Sequence, residues 1–86
     1  MATVEIYTTQ TCGYCMRAKM LLQDKGVGYK EIDVNTNPKL RIEMTKRAHG
    51  EYTVPQIFIN GEHIGGCDEL YMLERSGQLD EKLSAA

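Results

Sequence analysis

Val4-Glu5-Ile6-Tyr7-Thr8-Thr9-Gln10-Thr11-Cys12-Gly13-Tyr14-Cys15 is the stretch on which the fold turns. Residues 2–8 alternate, with Val4, Ile6 and Thr8 on one face and Thr3, Glu5 and Tyr7 on the other, which is the period of a strand. From Cys15 to Lys25 the period becomes helical. Cys15, Ala18, Leu21 and Leu22 share a face, Arg17, Lys19, Gln23 and Asp24 point to water, and Gly26 stops the helix. The two cysteines therefore fall at a strand-to-helix junction. Tyr29 to Val34 is rich in β-formers and supplies a second strand. A strand, a helix and a strand in that order form a βαβ unit, with parallel strands and a right-handed crossover.

The rest of the chain completes one sheet. Asn37 is placed to cap a second helix, and Pro38 suits its first position, where a missing N–H costs nothing. Leu40, Met44 and Ala48 make the apolar stripe of that helix, which ends near Gly50. Val54 to Ile59 reads as a strand, Asn60-Gly61 as a tight hairpin turn, and Glu62 to Ile64 as the returning strand. After Gly65-Gly66 a third helix runs from Asp68 to Ser76, with Leu70, Leu73 and Tyr71 inward and Gly77 as its stop; the tail adds a further turn. The order β-α-β-α-β-β-α predicts an α/β fold, a four-stranded mixed sheet with helices on both faces.

Composition bounds the function. The chain has 86 residues, 42 % of them hydrophobic and 26 % charged, which fits one globular domain over residues 1–86 and excludes a disordered tail. Ten basic against twelve acidic residues leave a net charge of −2, which argues against a nucleic-acid partner. No apolar run approaches the roughly 18–20 residues of a membrane span. Met1-Ala2-Thr3-Val4-Glu5-Ile6-Tyr7 lacks the basic start and apolar stretch of a secretion signal, so the expected location is the cytoplasm.

The chemistry lies in Cys12 and Cys15. The reactive form of cysteine is the thiolate, and a free thiol ionises near about pH 8.5. The unpaired N–H groups and dipole of a helix N-terminus favour negative charge on a sulfur placed there. Cys12 occupies the helix entrance, and Cys15 lies one turn on along the apolar face, within disulfide reach. The asymmetry makes Cys12 the attacking sulfur and Cys15 the resolving one. Two other readings stand beside this one. The pair is also half of a zinc site if Cys67, His63 or His49 completes it, and cysteines are often simply core residues.

Four segments in the right order resemble the glutaredoxin family, close to its small dithiol type. They are Val4-Glu5-Ile6-Tyr7-Thr8 leading into Cys12-Gly13-Tyr14-Cys15, then Thr53-Val54-Pro55-Gln56-Ile57-Phe58-Ile59, then Gly61 through Ile64, then Gly65-Gly66-Cys67-Asp68. Thioredoxin is the nearest rival, but it usually carries Trp before a Cys-Gly-Pro-Cys motif, and this chain has no Trp. The resemblance implies a thioredoxin-like fold, a cis peptide before Pro55, and glutathione as co-substrate with no permanently bound cofactor. It implies a monomer that reduces protein–glutathione mixed disulfides and protein disulfides.

The same resemblance places glutathione. Its cysteine backbone pairs with the N–H and C=O of Val54 between Thr53 and Pro55, as an added short strand. Its γ-glutamyl carboxylate meets the N–H groups of Cys67 and Asp68 at the start of the third helix, beside Gly66, where glycine permits close approach. The Asp68 carboxylate takes the ammonium, or serves as a plain helix N-cap. Tyr14 flanks the sulfur. Two departures from the family pattern stand out. Gly13 replaces the usual Pro, and Thr9 replaces a common Lys, leaving Arg41, with Arg47 behind it, as the cation for the glycyl carboxylate. Some relatives with a small residue at the Gly13 position hold an iron–sulfur cluster between two subunits, using the first cysteine and glutathione, which is the alternative function for Cys12 here.

Overall fold

The alternation of residues 2–8 forms β1 (Val4–Thr8), and the helical period after it forms α1 (Gly13–Asp24). Then come β2 (Lys30–Asp33), α2 (Pro38–Arg47), β3 (Gln56–Ile59), β4 (Glu62–Gly65), α3 (Cys67–Arg75) and α4 (Gln78–Ser84). The computed structural model describes residues 2–85. Its sheet has the order β2-β1-β3-β4. β1 runs parallel to β2, with Tyr7 opposite Ile32, and antiparallel to β3, with Ile6 opposite Ile57. β3 and β4 are antiparallel, joined through Asn60 (φ 52°) and Gly61 (φ 81°), the paired positive values that a two-residue primed turn needs. The expected α/β mixed sheet is what the chain adopts.

The sheet is covered on both sides because β1 and β3 are apolar on both faces. Val4, Ile6, Ile57 and Ile59 meet Ala18, Leu21 and Leu22 of α1, Leu70 of α3, and Leu79 and Leu83 of α4. On the other face Tyr7 and Phe58 meet Val34 and Met44 and Ala48 at the end of α2. The Tyr7 and Phe58 rings pack edge to face, 5.6 Å between centroids, an arrangement that aligns ring edge with ring face.

Most elements begin or end one to three residues from the sequence reading, and three of the differences have a clear physical cause. The tail forms a two-turn helix rather than one further turn, because Leu79 and Leu83, four apart, both reach the core. β3 begins at Gln56, not Val54. The Val54–Pro55 peptide is cis, as the resemblance implied, and Pro55 has no N–H for the ladder. α3 begins at Cys67 with Gly66 as its N-cap, and Glu69 Oε1 accepts the Gly66 N–H at 2.7 Å. Asp68 is thus inside the helix, so the plain N-cap alternative for it falls away. Among the described residues no helix is long and apolar enough to cross a membrane.

Candidate active site

Cys12 stands where β1 has ended and α1 begins. It is the N-cap residue, with extended backbone (φ −126°, ψ 108°), and its Sγ accepts the Cys15 backbone N–H at 3.1 Å. The sulfur thus takes the place of a capping oxygen and satisfies one of the helix's unpaired donors. That N–H and the open first turn set partial positive charge against the sulfur. On its other side Sγ lies 3.8 Å from the Val54 carbonyl, to which the thiol form donates weakly. Cys12 is half-buried.

Cys15 is the opposite case. It is 1 % exposed, packed with the α1 face. Burial first, and then the hydrogen bond with Cys12, push its thiol up to about 12. At neutral pH it remains protonated, so the accessible sulfur of the pair is Cys12. The two sit one helical turn apart, as their spacing requires. Cys67 is also buried, and burial raises its thiol above the ordinary value. It is a small residue in the first turn of α3.

Beside Cys12 lies a groove of about 310 Å³, lined by Tyr14, Thr53, Val54, Pro55, Gly66, Cys67, Asp68 and Glu69. Seven of these are residues singled out from sequence, drawn from three separate segments. The Val54 carbonyl, just before the cis bond, faces the sulfur, and Gly66 lies close against Pro55. A Cβ on Gly66 would stand 3.3 Å from the Pro55 carbonyl oxygen. Glu69 is the residue of the groove that the sequence reading did not name; the signal was its place three residues after Gly66, where a carboxylate caps a helix.

The two arginines fare differently from the cysteines. Arg41 is not in the groove lining. Its Nη2 and Nε donate to the Tyr52 carbonyl at 3.0 and 3.3 Å, bracing the segment that leads into Thr53. Arg47, named as the second cation, is committed elsewhere. Its guanidinium makes two hydrogen bonds to Glu5 (2.9 and 3.3 Å) and one to the Tyr7 hydroxyl (2.7 Å), and it lies 4.2 Å over the Phe58 ring. It ties the end of α2 to β1 and is not a ligand for a substrate carboxylate. Among the described residues no three His, Cys, Asp or Glu side chains converge as a metal site, and His49 and His63 pair with each other instead.

The glutaredoxin family model matches residues 4–64. The chain is 57 % identical over 83 residues to glutaredoxin 3 of Escherichia coli K12, covering 96 % of this chain and 99 % of that one. Among solved structures, the glutaredoxin of Brucella melitensis superposes with a TM-score of 0.84 at 50 % identity, covering all of this chain and 95 % of that chain. A buckwheat glutaredoxin–glutathione complex superposes with a TM-score of 0.89 at 31 % identity, covering 96 % of this chain and 77 % of that chain. A half-buried N-capping sulfur, a fully buried partner one turn on, a cis-proline groove beside them and these likenesses agree: the chain belongs to the glutaredoxin family of thiol–disulfide oxidoreductases.

Proposed function

We propose that this chain reduces glutathione mixed disulfides and protein disulfides, using glutathione as reductant and Cys12 as the attacking sulfur. The observation that carries the reading is the Cys12 Sγ, hydrogen-bonded by the Cys15 N–H and 3.8 Å from the carbonyl of Val54, which lines the groove. In the glutathione route the Cys12 thiolate attacks the glutathione sulfur of a protein–glutathione disulfide. The Cys12–glutathione bond forms, the protein–sulfur bond breaks, and the protein leaves as a thiolate that takes a proton from water. A second glutathione, as thiolate, attacks the bound glutathione sulfur; oxidised glutathione leaves and the Cys12 thiolate returns. With a protein disulfide, Cys12 forms the mixed disulfide with the protein and Cys15 displaces it. The Cys15 proton leaves with the departing thiol and a Cys12–Cys15 bond remains. Rates of such exchange depend on both attacking and leaving thiols, and the sheltered Cys15 does not compete for the first attack.

The groove takes the glutathionyl moiety. Val54 offers its N–H and C=O to the tripeptide backbone, with Thr53 and Pro55 holding that edge. The first N–H groups of α3, at Cys67 and Asp68 beside Gly66, receive the γ-glutamyl carboxylate, and the Asp68 carboxylate receives the ammonium. Tyr14, 59 % exposed, gives an aromatic wall next to the sulfur. Arg41, braced on Tyr52, turns its remaining Nη1 to the glycyl carboxylate. The buckwheat glutaredoxin of similar structure is a glutathione complex, which supports glutathione as the ligand.

A coupled assay tests the reading: a glutathionylated peptide as substrate, with glutathione, glutathione reductase and NADPH. Cys12→Ser should fall to background, while Cys15→Ser should retain the glutathione route and lose the two-cysteine reduction of a protein disulfide. Full activity in Cys12→Ser would overturn the assignment.

A further inference from the structure

Gln56 is the buried polar residue of β3, 2 % exposed between Pro55 and Ile57. A buried amide is tolerated only where its donors and acceptor are satisfied. Here all are engaged. Nε2 donates to the Thr53 carbonyl at 3.0 Å and lies 3.3 Å from the Thr53 hydroxyl oxygen. Oε1 accepts from His63 Nε2 on β4 at 2.7 Å. The other ring nitrogen of His63, Nδ1, lies 3.2 Å from His49 Nδ1. Because Oε1 only accepts, His63 carries its proton on Nε2, and its Nδ1 is left to accept from His49. Burial, and then His49, hold the His63 pKa below its ordinary value, which keeps the neutral ring this pattern needs.

We propose that Gln56 and His63 are positioning residues for the glutathionyl groove: they fix the Thr53 carbonyl and hydroxyl, and through them the turn of backbone that presents Val54 to the ligand. The proposal rests on the glutathione reading of that groove. The geometry gives it a direct route. Gln56 closes a hydrogen-bonded ring over Thr53, Val54 and the cis bond to Pro55, and Thr53, Val54 and Pro55 line the groove. The ring is stiff because its outer end is held on another strand, where His63 packs against Phe58 with ring centroids 5.1 Å apart. Gln56 and His63 are absent from this groove's lining and border an adjoining cavity of about 320 Å³ that shares Thr53, Gly66 and Glu69 with it. Loss of the ring therefore loosens the binding edge without touching the sulfur, and the cost appears in substrate affinity rather than in the exchange step.

The test measures kcat and KM with a glutathionylated peptide, together with the iodoacetamide alkylation rate of Cys12. The proteins are the parent, Gln56→Met (similar in shape, without the amide), His63→Leu and His63→Gln, whose amide N–H can replace Nε2. Gln56→Met should raise KM about three- to ten-fold, the scale of one or two lost hydrogen bonds, with kcat and the alkylation rate within about two-fold. His63→Leu should raise KM by less, and His63→Gln should restore it. Unchanged KM in both Gln56→Met and His63→Leu, with saturable parent kinetics, would overturn the positioning role alone. Should Gln56→Met not fold, the two His63 variants decide: equal KM in His63→Leu and His63→Gln refutes the relay. A parent that shows no saturation with glutathionylated peptide sinks the glutathione reading and this inference with it.

Discussion

Replacing Gly13 by Pro should stabilise the protein, and the structure sets the size of the gain. Proline demands extended backbone in the residue before it, and Cys12 at φ −126° and ψ 108° is already there. It demands a position whose N–H has no helical partner, and Gly13 is the first residue of α1. It demands room, and a Cβ at Gly13 meets nothing within 4 Å. With those conditions met, the change acts on the unfolded chain by removing conformations, a gain of about 0.4–1 kcal/mol. Unfolding entropy near 60 °C is about 2.1 cal/mol/K per residue, so for this chain about 180 cal/mol/K. The midpoint of thermal unfolding should then rise by about 2–6 °C. The assay is a far-UV circular dichroism melt of the reduced protein at pH 7, parent against Gly13→Pro. A lower midpoint would show that the backbone at the helix entrance is not the one described, and the N-capping geometry of Cys12 would fall with it.

Arg47→Met should destabilise by about 1–3 kcal/mol, because it strips the partly buried Glu5 of its partner and the Tyr7 hydroxyl of a donor; urea unfolding measures it, and a loss below about 0.5 kcal/mol would refute a structural role. Acid should weaken the fold in two stages. Burial and then His49 lower the folded pKa of His63, so the unfolded chain binds the extra proton first and stability declines as pH drops below 6.5. Glu5, held low by Arg47, and Glu31, held low by Lys19 and Thr8, add stability above the ordinary value of 4.5 that is lost as pH falls through their folded values. His63→Gln should remove the first stage only, which urea titrations from pH 7.5 to 3 will show. Gly65→Ala should cost at least about 1 kcal/mol, since Gly65 sits at φ 119° and a Cβ there would stand 2.7 Å from Glu69 Oε1; an unchanged melting midpoint would contradict that crowding. Anaerobic purification should yield a colourless monomer, and a brown dimer would favour the cluster-binding alternative.

The fold was legible where one local rule decided an element. The first strand, read over residues 2–8 and formed over Val4–Thr8, the face made by Cys15, Ala18, Leu21 and Leu22, the Asn37-Pro38 start and the Asn60-Gly61 turn all appear. The groove residues were legible through the family motif, whose separate segments only the fold brings together. What was not legible depended on partners distant in sequence. Arg47 looks like any helix cation until β1 places Glu5 and Tyr7 beneath it, 42 and 40 positions away. Gln56 shows one signal, a lone amide within a buried apolar run, but its partner His63 follows only from the β3–β4 register. The tail was read only as a further turn, and its two-turn helix follows from Leu79 and Leu83 packing into the cluster formed with α1 and α3.

The sheet divides the interior unequally. Among the described residues, eleven buried ones gather with α1, α3 and α4, against five on the side of α2. Less apolar surface anchors α2, so its amides should exchange with deuterium sooner than those of α1, through openings that leave the larger half intact. Since Arg41 of α2 grips the Tyr52 carbonyl just ahead of the groove, each such opening momentarily frees that rim. One flank of the sheet should therefore open more readily, while the flank that carries both motif cysteines keeps the larger share of the apolar packing.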